Sequence, residues 1–284
     1  MGLFDELDAT CAPSQDQRIL RAPFPYPGGK YKSLKYILNV LPYRKRYIEV
    51  FGGSGAVILA REPSKLDVYN DINSGVVAFY RCLQTERDTE RLITRLQNTV
   101  YAREEFVWCH NTWDYDLSDN VEVAARWFYM IKTSFASLGR HFGRNLHKTT
   151  SGKLSSPLSL LPDLHQRFQS IIIEHLDWTE CITDYDYTDS VFYLDPPYLN
   201  TDKKVYKNTF TRTSHERLLE TVFKSNGFFA ISSYRNDLYE SYDWNEVISW
   251  EVFCSMAPGA PRRGNGSTTV AQRKHVEEVL YIRG

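Results

Sequence analysis

Val191–Tyr198 reads V-F-Y-L-D-P-P-Y. Four consecutive apolar residues, mostly β-formers, predict a strand buried on both faces, the pattern of a parallel sheet. Pro196 and Pro197 have no N–H for a ladder, so the strand must end at Asp195. A carboxylate is thereby placed at the carboxyl end of an internal strand, where open α/β sheets hold their ligands. Tyr198 adds a flat π-face beside it. An acceptor side chain, prolyl carbonyls and a stacking ring suit a planar base carrying an exocyclic amine. The plain alternative is a polar turn closing a strand, since Asp, Pro and Tyr are common in turns.

Working outward, other runs read as sheet: Arg46–Val50, Leu66–Asn70, Ser170–Glu174, Gly227–Tyr234, Trp244–Phe253 and Glu277–Ile282. Helical spacing is expected over Ser33–Leu41, Ala56–Arg61, Val76–Leu83, Trp127–Phe135 and His215–Ser225, the last capped by Ser214 and stopped by Gly227. Strands alternating with helices make the fold class α/β. Between about Thr85 and Leu161 the pattern changes to short helical runs, acidic clusters and a basic loop. This stretch reads as an insertion between the second and third strands.

The turn F-G-G-S-G at Phe51–Gly55 leads from a strand into a helix, and Asp71 follows about twenty residues later. That spacing lets an acid reach ribose hydroxyls near a glycine turn. Ile58 stands where a dinucleotide fingerprint has its third glycine, which suits a nucleoside cofactor without a pyrophosphate. Upstream, P-Y-P-G-G-K at Pro25–Lys30 puts a lysine on a Gly-Gly turn before a helix, able to present N–H groups and a cation to an anion. It is not a Walker loop.

The chain of 284 residues is 42% hydrophobic, enough for one large α/β domain or a core domain with an insertion. Its five Cys are odd in number and form no C-x-x-C pair, so reduced thiols are expected and neither a disulfide framework nor a metal site. No apolar run approaches a membrane span, and the acidic start is no signal peptide. A net charge of −1 gives no whole-chain argument for nucleic acid. The basic residues nevertheless cluster: Arg140, Arg144 and Lys148; Lys203, Lys204 and Lys207; Arg262 and Arg263. Any one such run is usually a solvated face.

P-Y-P-G-G-K, E-V-F-G-G-S-G, N-D-I-N, F-Y-M-I-K-T-S-F-A-S-L-G-R and Y-L-D-P-P-Y, in this order, resemble the Dam-type (D12-class) DNA adenine-N6 methyltransferases. The resemblance implies a Rossmann-like S-adenosylmethionine-dependent methyltransferase sheet with one antiparallel strand and an inserted, mainly helical target-recognition domain. The catalytic domain would comprise 1–84 and 162–284, and the recognition insertion 85–161. Carried over by motif, Tyr26 and Lys30 would help hold the amino-acid end of S-adenosylmethionine. The turn of Phe51, Gly53 and Gly55 would pass beneath it, Asp71 would bind its ribose, and Asp177 would lie near its adenine. Asp195 would touch both cofactor and target, with Pro196 accepting from the adenine amine and Tyr198 stacking on a flipped base. Stacking needs only the ring, so a phenylalanine is expected to serve at 198. Double-stranded DNA would be gripped by the basic clusters, with Arg140 and Arg144 reading bases. The recognition loop lacks the N-G-L-x-R-Y-N of GATC-reading members. A bacterial, archaeal or phage-infected cytoplasm and a cognate restriction endonuclease are compatible settings. Alternatives are an RNA N-methyltransferase, whose relatives lack the P-G-G-K turn and the large insertion, and a catalytically silent DNA-binding relative.

Overall fold

The structure is a computed structural model that describes residues 19–114, 118–143, 154–199, 210–254 and 274–284. The chain forms two compact units, Met1–Tyr185 and Asp186–Gly284. Both mix strands and helices, as the α/β reading requires.

In the first unit β1 (Arg46–Glu49), β2 (Leu66–Asn70) and β3 (Ile171–Glu174) run parallel with β2 in the middle, Tyr47 opposite Asp67 and Asp67 opposite Ile171. β1 and β2 are buried after their first residue, whereas β3 alternates and exposes Ile172. The helices are α1 (Leu34–Leu38), α2 (Ala56–Ala60), α3 (Ser74–Cys82), α4 (Glu86–Gln97), α5 (Arg103–Thr112), α6 (Asn120–Thr133), α7 (Ser155–Leu158), α8 (Leu161–Phe168) and α9 (Trp178–Tyr185). Asn73, Thr85 and Asp119 cap α3, α4 and α6 through side-chain acceptors, each satisfying an N–H that the helix leaves open. Buried Asp67 accepts from Arg61 at 2.7 Å and pairs with Arg167, which joins the end of α2 and α8 to β2.

The residues between β2 and β3 belong to this unit. Trp127 of α6 lies so close to α3 that a Cβ on Gly75 would sit 2.1 Å from its ring. Phe24 meets Trp127 edge-on at 5.0 Å, and Phe79 stacks on Phe128 at 5.1 Å. The helix expected at Trp127–Phe135 begins earlier, at Asn120, and ends at Thr133 because Ser134 turns to extended backbone. Phe135 is therefore outside it and 63% exposed.

In the second unit β4 (Ser190–Leu194) is wholly buried and pairs in parallel with β5 (Phe228–Tyr234). α10 (Arg212–Lys224) connects them, and α11 (Asp237–Glu240) follows β5. β7 (Lys274–Arg283) pairs antiparallel with β5 on one side and with β6 (Glu246–Cys254) on the other. The antiparallel strand is thus β7. Phe192 and Phe229 stack face to face at 4.5 Å, and a Cβ on Gly227 would meet Phe192 at 2.8 Å. The cap of α10 differs from expectation. Thr211 is the N-cap and Ser214 its reciprocal partner three residues on, a capping box in which each side chain bonds the other's backbone.

Among the described residues no helix is long and apolar enough to cross a membrane, and no group of His, Cys, Asp or Glu is arranged to hold a metal ion.

Candidate functional site

The first unit builds a cradle from the glycine turn. Gly53 and Gly55 hold left-handed backbone at φ 51° and 66°, which L side chains adopt at a cost. The turn closes by the Gly55 N–H donating to the Gly52 carbonyl, and the Gly52 N–H reaches the Asn70 carbonyl. A Cβ on Gly52 would lie 2.2 Å from Tyr69, and one on Gly53 would lie 2.9 Å from Tyr26. Two buried tyrosines tie the turn's carbonyls from behind. Tyr69 donates to Gly53 O and Tyr80 to Ser54 O, each at 2.6 Å. Burial pushes both phenols well above their ordinary range, so they stay protonated donors. Buried Glu49 accepts from the Ile58 N–H at 2.7 Å and from the Tyr47 hydroxyl at 3.0 Å. Carbonyls held this way keep the turn in one conformation.

Asp71 stands at the end of β2, as the spacing predicts, and is a strut. One carboxylate oxygen accepts the Gly53 N–H at 2.7 Å and the other the Asn73 N–H at 2.8 Å. Burial raises its pKa, outweighing the downward pull of those two N–H groups and His175. A carboxylate has about four acceptor positions, so two donors leave capacity for hydroxyls. Asn73 in turn donates to the Tyr26 hydroxyl at 3.4 Å. Tyr26, Gly53, Asp71 and Asn73 thus form one connected set. Lys30 is buried, and its ammonium donates to Gly28 O at 2.7 Å, so it braces its own turn. Phe51, the first residue of the glycine turn, is half-buried.

Asn70 extends the set. Its amide donates to Val50 O and Leu176 O and accepts the Leu176 N–H at 2.8 Å. That clamp holds the segment entering Asp177 against the ends of β1 and β2. Asp177 itself is exposed and accepts the Thr179 N–H at 3.0 Å, opening α9.

In the second unit Asp195 follows β4 directly and is half-buried, and Pro196 is buried. The Tyr198 hydroxyl donates to Glu278 Oε1 at 2.7 Å, and its ring meets Tyr234 edge-on at 4.7 Å. Burial, then the Asp195 and Glu278 carboxylates, hold the phenol well above its usual pKa. His215 Nε2 lies 3.1 Å from Pro197 O, so the turn is held from a second side.

Of the expected DNA contacts Arg140 is described, exposed in a tight turn bounded by the Ser134–Phe142 bridge. The exposed Phe135 belongs to the same turn. Arg144, Lys148, Lys203, Lys204, Lys207, Arg262 and Arg263 lie outside the described residues. Sequence reasoning did not find Tyr69, Tyr80, Asn73, Glu278 or His215. Asn73, two residues after Asp71 before a helix, carried a capping signal; for the others no local signal exists.

The chemistry of the first cradle fits an adenosine-type cofactor with an amino-acid tail: a glycine turn, an acid at the strand end and a buried cation. A family model for D12 class N6 adenine-specific DNA methyltransferases matches residues 26–256. The chain is 29% identical over 147 residues to a DNA N-6-adenine-methyltransferase of Escherichia phage P1, covering 51% of this chain and 19% of that protein. It is 30% identical over 217 residues to the type II methyltransferase M1.LlaDCHI of Lactococcus lactis subsp. cremoris, covering 71% and 73%. A type II methyltransferase of Methanocaldococcus jannaschii, M.MjaIII, is 25% identical over 212 residues, covering 66% and 72%.

Proposed function

Since the chain belongs to the D12 class of N6 adenine-specific DNA methyltransferases, we propose that it methylates N6 of an adenine flipped out of double-stranded DNA, with S-adenosylmethionine as donor. The observation that carries this reading is the D-P-P-Y turn: a carboxylate at the end of a wholly buried strand, followed by two prolines and a tyrosine whose hydroxyl is held by Glu278. Bound S-adenosylmethionine supplies a methyl group on a sulfonium. Tyr26, Lys30, the turn of Phe51, Gly53 and Gly55, Asp71 and Asp177 are the residues that hold it, with Asp71 on the ribose and Lys30 toward the amino-acid end.

The adenine amine is a poor nucleophile because its lone pair is delocalised into the ring. Asp195 accepts one of its N–H groups and the Pro196 carbonyl the other, which favours a pyramidal nitrogen with a directed lone pair. Pro196 is the prolyl acceptor that the motif assigns to the amine, and the neighbouring Pro197 O takes the His215 N–H. Tyr198 stacks on the flipped base. Rate comes from orientation and electrostatics, with no covalent intermediate. Residues 85–161 form the recognition insertion, where exposed Arg140 suits guanine O6 and N7. Arg144 shares that base-reading role, the basic residues at 148, 203, 204, 207, 262 and 263 supply phosphate contacts, and a restriction endonuclease of the same target is a compatible partner.

The test is labelled methyl transfer to duplex DNA and to RNA by the purified chain, with methylated adenines located by sequencing. Methyl-N6-adenine at a fixed DNA sequence, abolished by Asp195→Ala, is expected. Label in RNA alone, or full turnover by a folded Asp195→Ala variant, overturns the reading.

A further inference from the structure

The two prolines that end β4 create a problem of their own. Neither has an N–H, so neither residue can secure the turn by donating to a neighbouring strand. Yet Asp195, Pro196 and Tyr198 must hold a fixed geometry for orientation to contribute to rate, since small misplacements of reacting groups cost large factors. Within the second unit a donor arrives from elsewhere. Thr211 and Ser214 open α10 with a capping box, and His215 in its first turn is fully buried. Its Nε2 lies 3.1 Å from Pro197 O and its Nδ1 lies 2.8 Å from the Tyr239 hydroxyl. A carbonyl oxygen only accepts, so Nε2 carries the hydrogen and donates it. Nδ1 in the neutral ring is then the acceptor, and Tyr239 donates to it.

The second link is also fixed. Tyr239 is fully buried, its ring stacks near that of Trp244, and Trp244 Nε1 donates to Tyr239 O at 2.7 Å. Phe210 closes edge-on over the imidazole at 4.6 Å. Burial lowers the His215 pKa to about 4, against the weaker upward pull of the Pro197 carbonyl. The ring is therefore neutral at neutral pH and has one N–H to give.

We propose that His215 is a positioning residue for methyl transfer: Tyr239 selects its tautomer, and its Nε2–H fixes the Pro197 carbonyl and with it the peptide planes carrying Pro196 and Tyr198. This rests on the reading of D-P-P-Y as the amine-binding turn. His215 touches no reacting atom.

The experiment compares His215→Gln, His215→Asn and Tyr239→Phe in the full chain, each checked by thermal unfolding. Glutamine carries its amide N–H out to the Nε2 position, whereas asparagine reaches only as far as Nδ1. Single-turnover transfer to duplex DNA should fall about tenfold in His215→Asn, the rate equivalent of one neutral hydrogen bond at the upper end of its range. His215→Gln should stay within about threefold of wild type, and KM for DNA and for S-adenosylmethionine should move by less than about twofold in both. Nitrogen NMR of the wild-type ring should show Nε2 protonated and Nδ1 bare, with that preference weakened in Tyr239→Phe. Equal losses in the Gln and Asn variants, losses in KM alone, or a ring protonated at Nδ1 would overturn the proposal. If wild type transferred methyl to RNA in place of DNA, the functional reading would fall, but the Gln and Asn comparison would still decide the role of His215 on that amine.

Discussion

The Tyr198 hydroxyl donates to Glu278 across 2.7 Å, joining the turn after β4 to a carboxylate on β7 that is only 5% exposed. Because the ring sits edge-on to Tyr234 as well, its plane and its tip are both constrained. The proposed stacking on a flipped base requires a ring held at a fixed height and tilt, and this pair restrains both.

Stacking alone needs only the ring, but the bond to Glu278 predicts that Tyr198→Phe will not be mild. It takes a donor from a buried carboxylate, which costs about 1–3 kcal/mol. Unfolding should shift by that amount and transfer should slow, whereas Glu278→Gln, whose amide oxygen can still accept from the phenol, should be milder. A Tyr198→Phe variant with wild-type stability and rate would remove the restraint from the argument.

Asp71→Ala should lose stability as well as affinity for S-adenosylmethionine. It strips the acceptor from the Gly53 and Asn73 N–H groups, and each hydrogen bond to a charged acceptor is worth about 1.5–3 kcal/mol. Denaturant unfolding and calorimetric titration measure the two losses separately. Unchanged unfolding free energy would mean the strut carries no load.

Gly53→Ala forces an L side chain to φ 51° and sets its Cβ 2.9 Å from the Tyr26 ring. The folded chain should lose about 1 kcal/mol or more, the cost of left-handed backbone in a non-glycine residue before any clash, and cofactor affinity should fall as the turn shifts away from the ring. In a Tyr26→Ala background the loss caused by Gly53→Ala should be smaller than in wild type, because the ring clash is gone and only the backbone part remains. Strict additivity of the two losses would show that the contact is not what matters.

His215 gives the fold a pH dependence whose sign follows from its pKa. The ordinary value of 6.5 is lowered to about 4 by burial in the folded chain, so between those limits the unfolded chain binds more protons. Stability must then rise with pH through that window, and its contribution is present above about 6.5 and lost toward 4. The full effect is at most about 3 kcal/mol. Unfolding curves from pH 7 to pH 4 should show a steeper loss for wild type than for His215→Gln; parallel curves would contradict the assignment.

Arg140→Ala should cost about 1–3 kcal/mol on the cognate duplex and relax specificity, as expected for a bidentate guanine contact. If the residue meets phosphate alone, affinity should drop on every sequence and the salt slope should flatten by about 0.9. Salt-dependent binding to cognate and scrambled duplexes separates the two, and no change in either would leave Arg140 a solvated loop charge.

The sequence by itself did not determine the helices α9 and α11, but it determined the order of the strands, the ends of β2 and β4, and the glycine turn. Each of these is written in a run of neighbours: β-formers followed by an acid and prolines, or glycines at left-handed positions. The same local evidence placed Asp71 and Asp195 at strand ends. It misjudged the cap of α10, where Thr211 and Ser214 offer similar oxygens and only the backbone decides which one precedes the helix. It also carried the helix of Trp127 through Phe135, since apolar periodicity does not reveal where Ser134 turns extended. What only the tertiary structure decided are the partners. Tyr198 and Glu278 are 80 residues apart, and Asn70 and Leu176 are 106 apart. Periodicity reports that a side chain is buried but carries no record of which polar atom meets it there. A buried polar group must find a partner to offset its lost hydration, and the folded chain alone supplies the name of that partner.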